Sequence, residues 1–204
     1  LEKVLVLEVE GEELGAAKAE VQEKYQFSYF FGDSQTIHHD DGYRYRMPFR
    51  EGRRYRLTQG FEGESSHTSE SSRYALDFQL EVGEPVHAAR GGLVVKVVDW
   101  FRESGGPEAR PYANRILVEH SDGTFASYDH LDHGGVVVAE GESVRVGQLI
   151  GYSGMTGFTG GPHLHFVVRK GRDRAVPILF EGYDEARLVE DELYRVHTPR
   201  RGGS

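Results

Sequence analysis

From Tyr74 onward, glycines cut the chain into short runs rich in β-branched and aromatic residues, and this punctuation limits what it can fold into. "YALDFQL", "PVHAARGGLVVKVVDW", "NRILVEH", "TFASYDHL", "GGVVVAEG", "QLIGYSG" and "HLHFVVRKG" follow at spacings of roughly 8 to 15 residues, with no long helical pattern between them. Such a chain is mainly β, an antiparallel sheet or sandwich. "SDG" at 121–123 joins two runs as a tight hairpin turn, where glycine supplies the positive φ. Residues 141–151 read as a compact β-turn-β unit. "GYRYRMPFREGRRYRLTQGF", residues 42–61, alternates aromatic residues with arginine and reads as a half-exposed strand pair turning at Glu51-Gly52.

Earlier residues are less regular. Residues 3–11 alternate as a strand, 12–26 have mixed helical spacing, and 27–33 form an aromatic strand, so the N-terminal portion is a β-rich addition. The tail "VHTPRRGGS" reads as disordered. A net charge of −9 over 204 residues excludes a generally basic, nucleic-acid-binding surface, and the Tyr/Arg alternation is better read as a strand with one wet face. No cysteine is present, which removes disulfides, thiolate ligands and a cysteine nucleophile together. No apolar run approaches the roughly 18 residues of a transmembrane segment. The chain opens at Leu1 without a signal-peptide pattern and reads as a mature or trimmed piece.

Ten histidines allow many accidental pairs. The doublet in "GPHLHF", residues 161–166, stands out because positions i and i+2 of a strand share a face. His163 and His165 then point one way and Leu164 the other, into a core. Spacing alone leaves a metal site, a catalytic pair and coincidence open. Three rival motifs fail. A cupin-like barrel wants a glutamate shortly after the doublet, a metallo-hydrolase wants aspartate where Val167 stands, and no His-Glu-x-x-His helix occurs. His120 precedes the "SDG" turn and reads as a turn-bonding residue with a supporting role at a site as its functional option. Asn114, opening "NRILVEH", reads equally as a strand-start polar residue or as a site support.

Context narrows the doublet. "SHTSESSRYALDF" supplies a histidine and, ten residues on, an aspartate; "YDHL" ends a strand; "GYSGMTGFTGGPHLHF" sets a glycine-rich loop before the doublet. Over about residues 55–180 this order resembles the zinc endopeptidases of the lysostaphin and LytM type, metallopeptidase family twenty-three. The resemblance implies that His67, Asp77 and His165 hold Zn²⁺ and that His130 and His163 are catalytic. It divides the chain into an N-terminal extension (1–54), a zinc metallopeptidase domain (55–185) and a C-terminal segment (186–204). Two features depart from the family pattern. The first histidine and the aspartate stand ten residues apart rather than the common four, and Met155 occupies a loop position often held by asparagine.

The donor chemistry agrees with the implied division. Two neutral imidazoles and one carboxylate suit Zn²⁺, and three protein ligands leave a position for water, the pattern of a catalytic site. Histidines titrating near the working pH serve as acid and base. The resemblance further implies a peptidoglycan peptide as substrate and a secreted or periplasmic address. The alternative is a non-catalytic LytM-like module that binds cell wall or regulates another wall hydrolase; such modules lack one or more of the five residues, all of which stand here.

Overall fold

The computed structural model describes residues 39–171, 173–183 and 187–197, all within the unit Phe31–Ser204. The readings of 3–11, 12–26 and 27–33 lie outside the described residues. Among the described residues the protein is almost entirely β, with one 3-10 helix at Pro107–Tyr112. Nine strands form one sheet. Its order runs Ser143–Val144, Gly92–Val98, Arg115–Glu119, Phe125–Asp129, His163–Lys170, Leu76–Gln79, Arg54–Gln59 and Leu193–Arg195, and Arg174–Ala175 pairs beside His163–Lys170. Every pairing within it is antiparallel. A second, three-stranded antiparallel sheet holds Pro85–His87, Leu149–Ser153 and Leu131–Val136. Two short parallel pairs complete the strands.

The core follows from strand alternation. Leu164, Phe166 and Val168 of the central strand are fully buried, beside Leu76 and Phe78 on one flank and Ala126 and Tyr128 on the other. Val86, Leu131 and Ile150 of the smaller sheet join the same cluster, so the two sheets share one apolar interior. Burial of each large apolar side chain contributes about 1.5–3 kcal/mol, which makes this layer the main source of stability. Tyr45, Met47 and Phe49, and at the other end Leu188 and Val196, belong to this cluster too. Val196 thus packs in the core although it opens the stretch that reads as a disordered tail; residues 198–204 lie outside the described set.

The 121–123 hairpin forms as its sequence predicts. Gly123 has φ +77°, its N–H donates to the His120 carbonyl, and Arg115–Glu119 pairs with Phe125–Asp129. The stretch 42–61 differs from expectation. Gly52 does turn with φ +78°, and Arg54–Gln59 does alternate exposed and buried. The flanking strands do not pair with each other, however. Arg44–Tyr45 runs parallel to Leu179–Phe180, while Arg54–Gln59 lies between Leu76–Gln79 and Leu193–Arg195. Both strands offer apolar faces, and partners distant in sequence cover them better than each could cover the other. Likewise Ser143–Val144 and Leu149–Ser153, either side of the Gly147 turn, enter different sheets.

His120 is buried beside this hairpin, its Nδ1–H donating to the Gly91 carbonyl at 3.0 Å. Burial, which outweighs the Gly91 bond and is reinforced by the Arg90 charge, pushes its pKa down to about 4. The unfolded chain then takes up this proton from about pH 6.5 downward while the native state does not. His120 therefore costs the fold nothing above about pH 6.5 and destabilises it progressively as pH falls toward 4. In thermal melts over that interval, His120→Gln should lose midpoint less steeply than the parent; parallel profiles would contradict the assignment.

Candidate metal centre

On the solvent side of the large sheet, register builds a single row of polar side chains. Gln59 lies opposite Asp77, Asp77 opposite His165, His165 opposite Asp129, and Asp129 opposite Arg115. Residues in register across a pleated sheet project from the same face, so five strands each contribute one group to one line. His163, two residues before His165, adds a second imidazole to that face. The row floors a cleft of about 470 Å³, walled by the serine-rich 65–72 loop on one side and by Arg110, Phe158 and Thr159 on the other.

His67 enters from that loop. Its Nδ1–H donates to the Gly60 carbonyl at 2.7 Å, which fixes the tautomer and leaves a lone pair on Nε2. That Nε2 is buried without a hydrogen-bond partner and lies 3.2 Å from Asp77 Oδ2. In a dry site a ring nitrogen and a carboxylate oxygen this close repel unless a proton or a metal cation lies between them. Two tetrahedral zinc ligands sit about 3.3 Å apart for bonds of about 2.0–2.1 Å, so the spacing fits. On the other side His165 Nδ1 stands 2.7 Å from Asp77 Oδ1. One donor atom from each of His67, Asp77 and His165 falls within 4.8 Å of the others. These three residues can therefore hold a metal, and their N, N, O donor set suits Zn²⁺.

Electrostatics support the same reading. Burial drives the Asp77 carboxyl upward, but the His165 charge and the contacts from His165 and His67 overcome it and hold the group well below the usual carboxylate range. His165 is pushed down by burial and then raised above its ordinary value by Asp77. Asp77 thus stays an anion in a largely desolvated place. Gln59 Nε2 donates to Asp77 Oδ2 at 3.4 Å and to Ser66 Oγ at 2.7 Å, tying the carboxylate to the loop that carries His67.

His130 and His163 form the neighbouring pair, with ring centroids 4.5 Å apart; His130 lies 6.0 Å from His165. His130 Nδ1–H donates to the Thr156 carbonyl at 2.7 Å and His163 Nδ1–H to the Gly161 carbonyl at 2.9 Å. The Nδ1 bonds leave Nε2 of each ring free of those carbonyls, and that of His163 lies 3.9 Å from Asp77 Oδ1. Burial foremost, with the charges of His163 and His165, pushes the pKa of His130 down to about 4, so it is neutral near pH 7.

His130 has φ +67°, uncommon for a residue with a side chain. A buried hub holds this conformation. Asn114 Oδ1 accepts from Phe101 N–H, and its Nδ2 donates to the carbonyls of Phe101 and Asp132. Its own N–H donates to Thr156 Oγ1, whose hydroxyl donates to the Leu131 carbonyl. The side-chain amide thus ties Phe101 to the strand Leu131–Val136, and the Asn114 backbone ties Thr156 to both. Close by, Gly157 adopts φ +81°, and a Cβ there would come within 2.7 Å of the Ala113 Cβ.

Of the residues singled out in the sequence, His67, Asp77, His130, His163 and His165 gather in one place, and Asn114 braces the loops behind them. His120 does not line the cleft. Gln59, Asp129 and Arg115 line it without having been singled out. Phase marks only Arg115, on the wetter face of its strand; Gln59 shares the buried phase of Tyr55 and Leu57 and reaches the cleft because a bulge shifts the register there, and Asp129 ends a strand buried throughout.

The model of peptidase family M23 matches residues 71–177, just over half of the chain. His67 lies outside that span and joins the site only through the fold. The glycyl-glycine endopeptidase ALE-1 of Staphylococcus capitis is 38% identical over 96 residues, covering 47% of this chain and 24% of that protein. The peptidoglycan DD-endopeptidase ShyA of Vibrio cholerae is 35% identical over 98 residues, covering 47% and 20%. A solved zinc-containing peptidase from Vibrio cholerae aligns at 31% identity with a TM-score of 0.49, over 66% of this chain and 39% of that one. The chain thus spans a quarter or less of the curated relatives' length.

Because the three donors come from separate segments, a bound cation stabilises only the folded state. Adding Zn²⁺ to chelator-treated protein should raise the thermal midpoint by several degrees with about one ion taken up per chain. Asp77→Asn should abolish both effects. A midpoint indifferent to Zn²⁺ would remove the metal centre.

Proposed function

The chain belongs to peptidase family M23, and from that premise we propose that it is a zinc-dependent endopeptidase acting on the peptide part of bacterial peptidoglycan. The observation that carries this reading is the pair of histidines packed beside the His67–Asp77–His165 cluster, with His163 Nε2 3.9 Å from Asp77 Oδ1, while backbone carbonyls hold their Nδ1 protons. A binding module has no need of two tautomer-fixed imidazoles beside a metal cluster. All five residues are present, which favours the enzyme over a non-catalytic wall-binding relative.

When bound by His67, Asp77 and His165, zinc would lower the pKa of a coordinated water to about 7 and polarise the scissile carbonyl. The chain's own groups supply the rest. His130, neutral near pH 7 with a free Nε2, accepts the proton of the attacking water. His163 Nε2 lies on the same side, placed to hydrogen-bond the developing oxyanion when protonated, or to pass a proton to the departing amine. Gln59 keeps Asp77 in place, and Asn114 with Thr156 keeps His130 in its left-handed conformation. Substrate peptides would lie in the cleft between the serine-rich loop and Phe158. Such a substrate places the enzyme's work outside the cytoplasm. Residues 55–185 carry the catalytic machinery, with 1–54 and 186–204 flanking it.

His163→Ala and His130→Ala should each lower the rate of peptidoglycan hydrolysis by about 10²–10⁴-fold while zinc stoichiometry stays near one per chain. Products of a purified peptidoglycan digest, identified by mass, read the activity. Zinc-loaded protein that releases no peptide fragment would return the chain to the wall-binding reading.

A further inference from the structure

The cleft carries charge opposite in sign to the rest of the chain. The sequence has 33 acidic against 24 basic residues, yet the lining includes Arg110, Arg115 and Arg169 against only Asp77 and Asp129. Asp77 faces the metal cluster, so its charge is committed there. Arg169 is also committed, its Nε–H donating to the Ser71 carbonyl at 2.8 Å with Asp173 at 3.4 Å.

Arg115 is different. It is half-buried in the floor, and among the described residues no hydrogen bond or ion pair holds its guanidinium. Its cross-strand neighbour is Asp129, whose carboxyl the Arg115 charge helps hold below its ordinary value against burial, but no hydrogen bond or close ion pair joins the two, and Asp129 accepts from the Ser127 hydroxyl, 3.1 and 3.0 Å from its two oxygens. Arg110 stacks on Phe158 at 4.8 Å from the ring centroid and lies at the mouth of the same cleft. A half-buried guanidinium that feels the Asp129 charge but forms no hydrogen bond or close ion pair among the described residues presents a rigid fork suited to a carboxylate.

Its distance from the metal cluster sets where that carboxylate lies. Arg115 is two strands beyond His165 in the polar row, on the side away from Asp77, or about 10 Å at strand spacings of about 4.7–4.9 Å. An extended peptide along that row advances about 3.3–3.6 Å per residue. We infer that the cleft selects peptides bearing a free carboxylate within about three residues of the scissile bond, and that Arg115 is the residue that reads it. Neutral oligoglycine segments would lack this contact. The inference rests on the peptidase reading for the position of the bond, whereas the carboxylate site itself does not require turnover.

Recognition can be separated from chemistry in a zinc-loaded His163→Ala background, where binding is measured by calorimetry. The probes are a synthetic stem pentapeptide ending in D-Ala-D-Ala, with its C-terminal carboxylate either free or amidated and every other carboxylate amidated in both. The free acid should bind about 10- to 100-fold more tightly, the range of one charge-assisted bidentate contact. Adding Arg115→Gln should bring the two peptides within about twofold, and Arg115→Lys, which keeps the charge without the fork, should restore part of the preference. Unfolding midpoints and zinc content of each variant confirm that the fold is retained. Equal binding of acid and amide with Arg115 present, or a preference undiminished in both substitutions, would overturn the inference. Acid-selective binding by a protein whose unsubstituted form cleaves no peptide would instead sink the peptidase reading and leave the carboxylate site standing.

Discussion

Everything in this protein that resembles a site depends on the register of the strand His163–Lys170. Its odd and even positions serve two different environments at once. Leu164, Phe166 and Val168 anchor the core, while His163 and His165 face the cleft. A slip of one residue would bury two imidazoles and expose three apolar side chains, at a cost of several kcal/mol. The hydrophobic effect therefore fixes the chemistry: packing on one face determines which polar groups meet on the other. Pairing to Leu76–Gln79 and Phe125–Asp129 extends that phase sideways and gives the polar row from Gln59 to Arg115.

A second constraint works on proton positions rather than atoms. His67, His130 and His163 each give their Nδ1–H to a backbone carbonyl, of Gly60, Thr156 and Gly161 respectively. Backbone oxygens cannot titrate and barely move, so the three rings hold one tautomer and turn Nε2 toward the cluster. These carbonyls belong to loops, and loops need holding. Asn114 does this for the His130 side through four hydrogen bonds to Phe101, Asp132 and Thr156, and the Gln59–Ser66 contact does it for the His67 side.

Local pattern revealed much of this and missed some of it for a consistent reason. The "SDG" hairpin was legible because its turn and both strands are adjacent in sequence. Residues 42–61 looked like a hairpin by the same logic, but none of their partners lies within the stretch: Leu76–Gln79 follows it, and Leu179–Phe180 and Leu193–Arg195 lie more than a hundred residues away. Asp129 stands inside "YDHL" and Arg115 inside "NRILVEH", yet both went unnoticed because nothing in those stretches singles them out. Each matters only through its place in a row of strands, and row membership is a long-range property.

By itself, the sequence determined the β class, the two faces of the doublet strand and the residue types able to bind a cation. Periodicity and donor chemistry are local, and they survive in a linear reading. Only the tertiary structure decided that His67, ten residues from Asp77 and outside the family match, meets it at 3.2 Å. The same holds for Asn114 as a brace, His120 as a residue of the hairpin, and Arg115 on the cleft floor. Those outcomes come from strand order and loop closure, which bring together groups that no spacing along the chain relates.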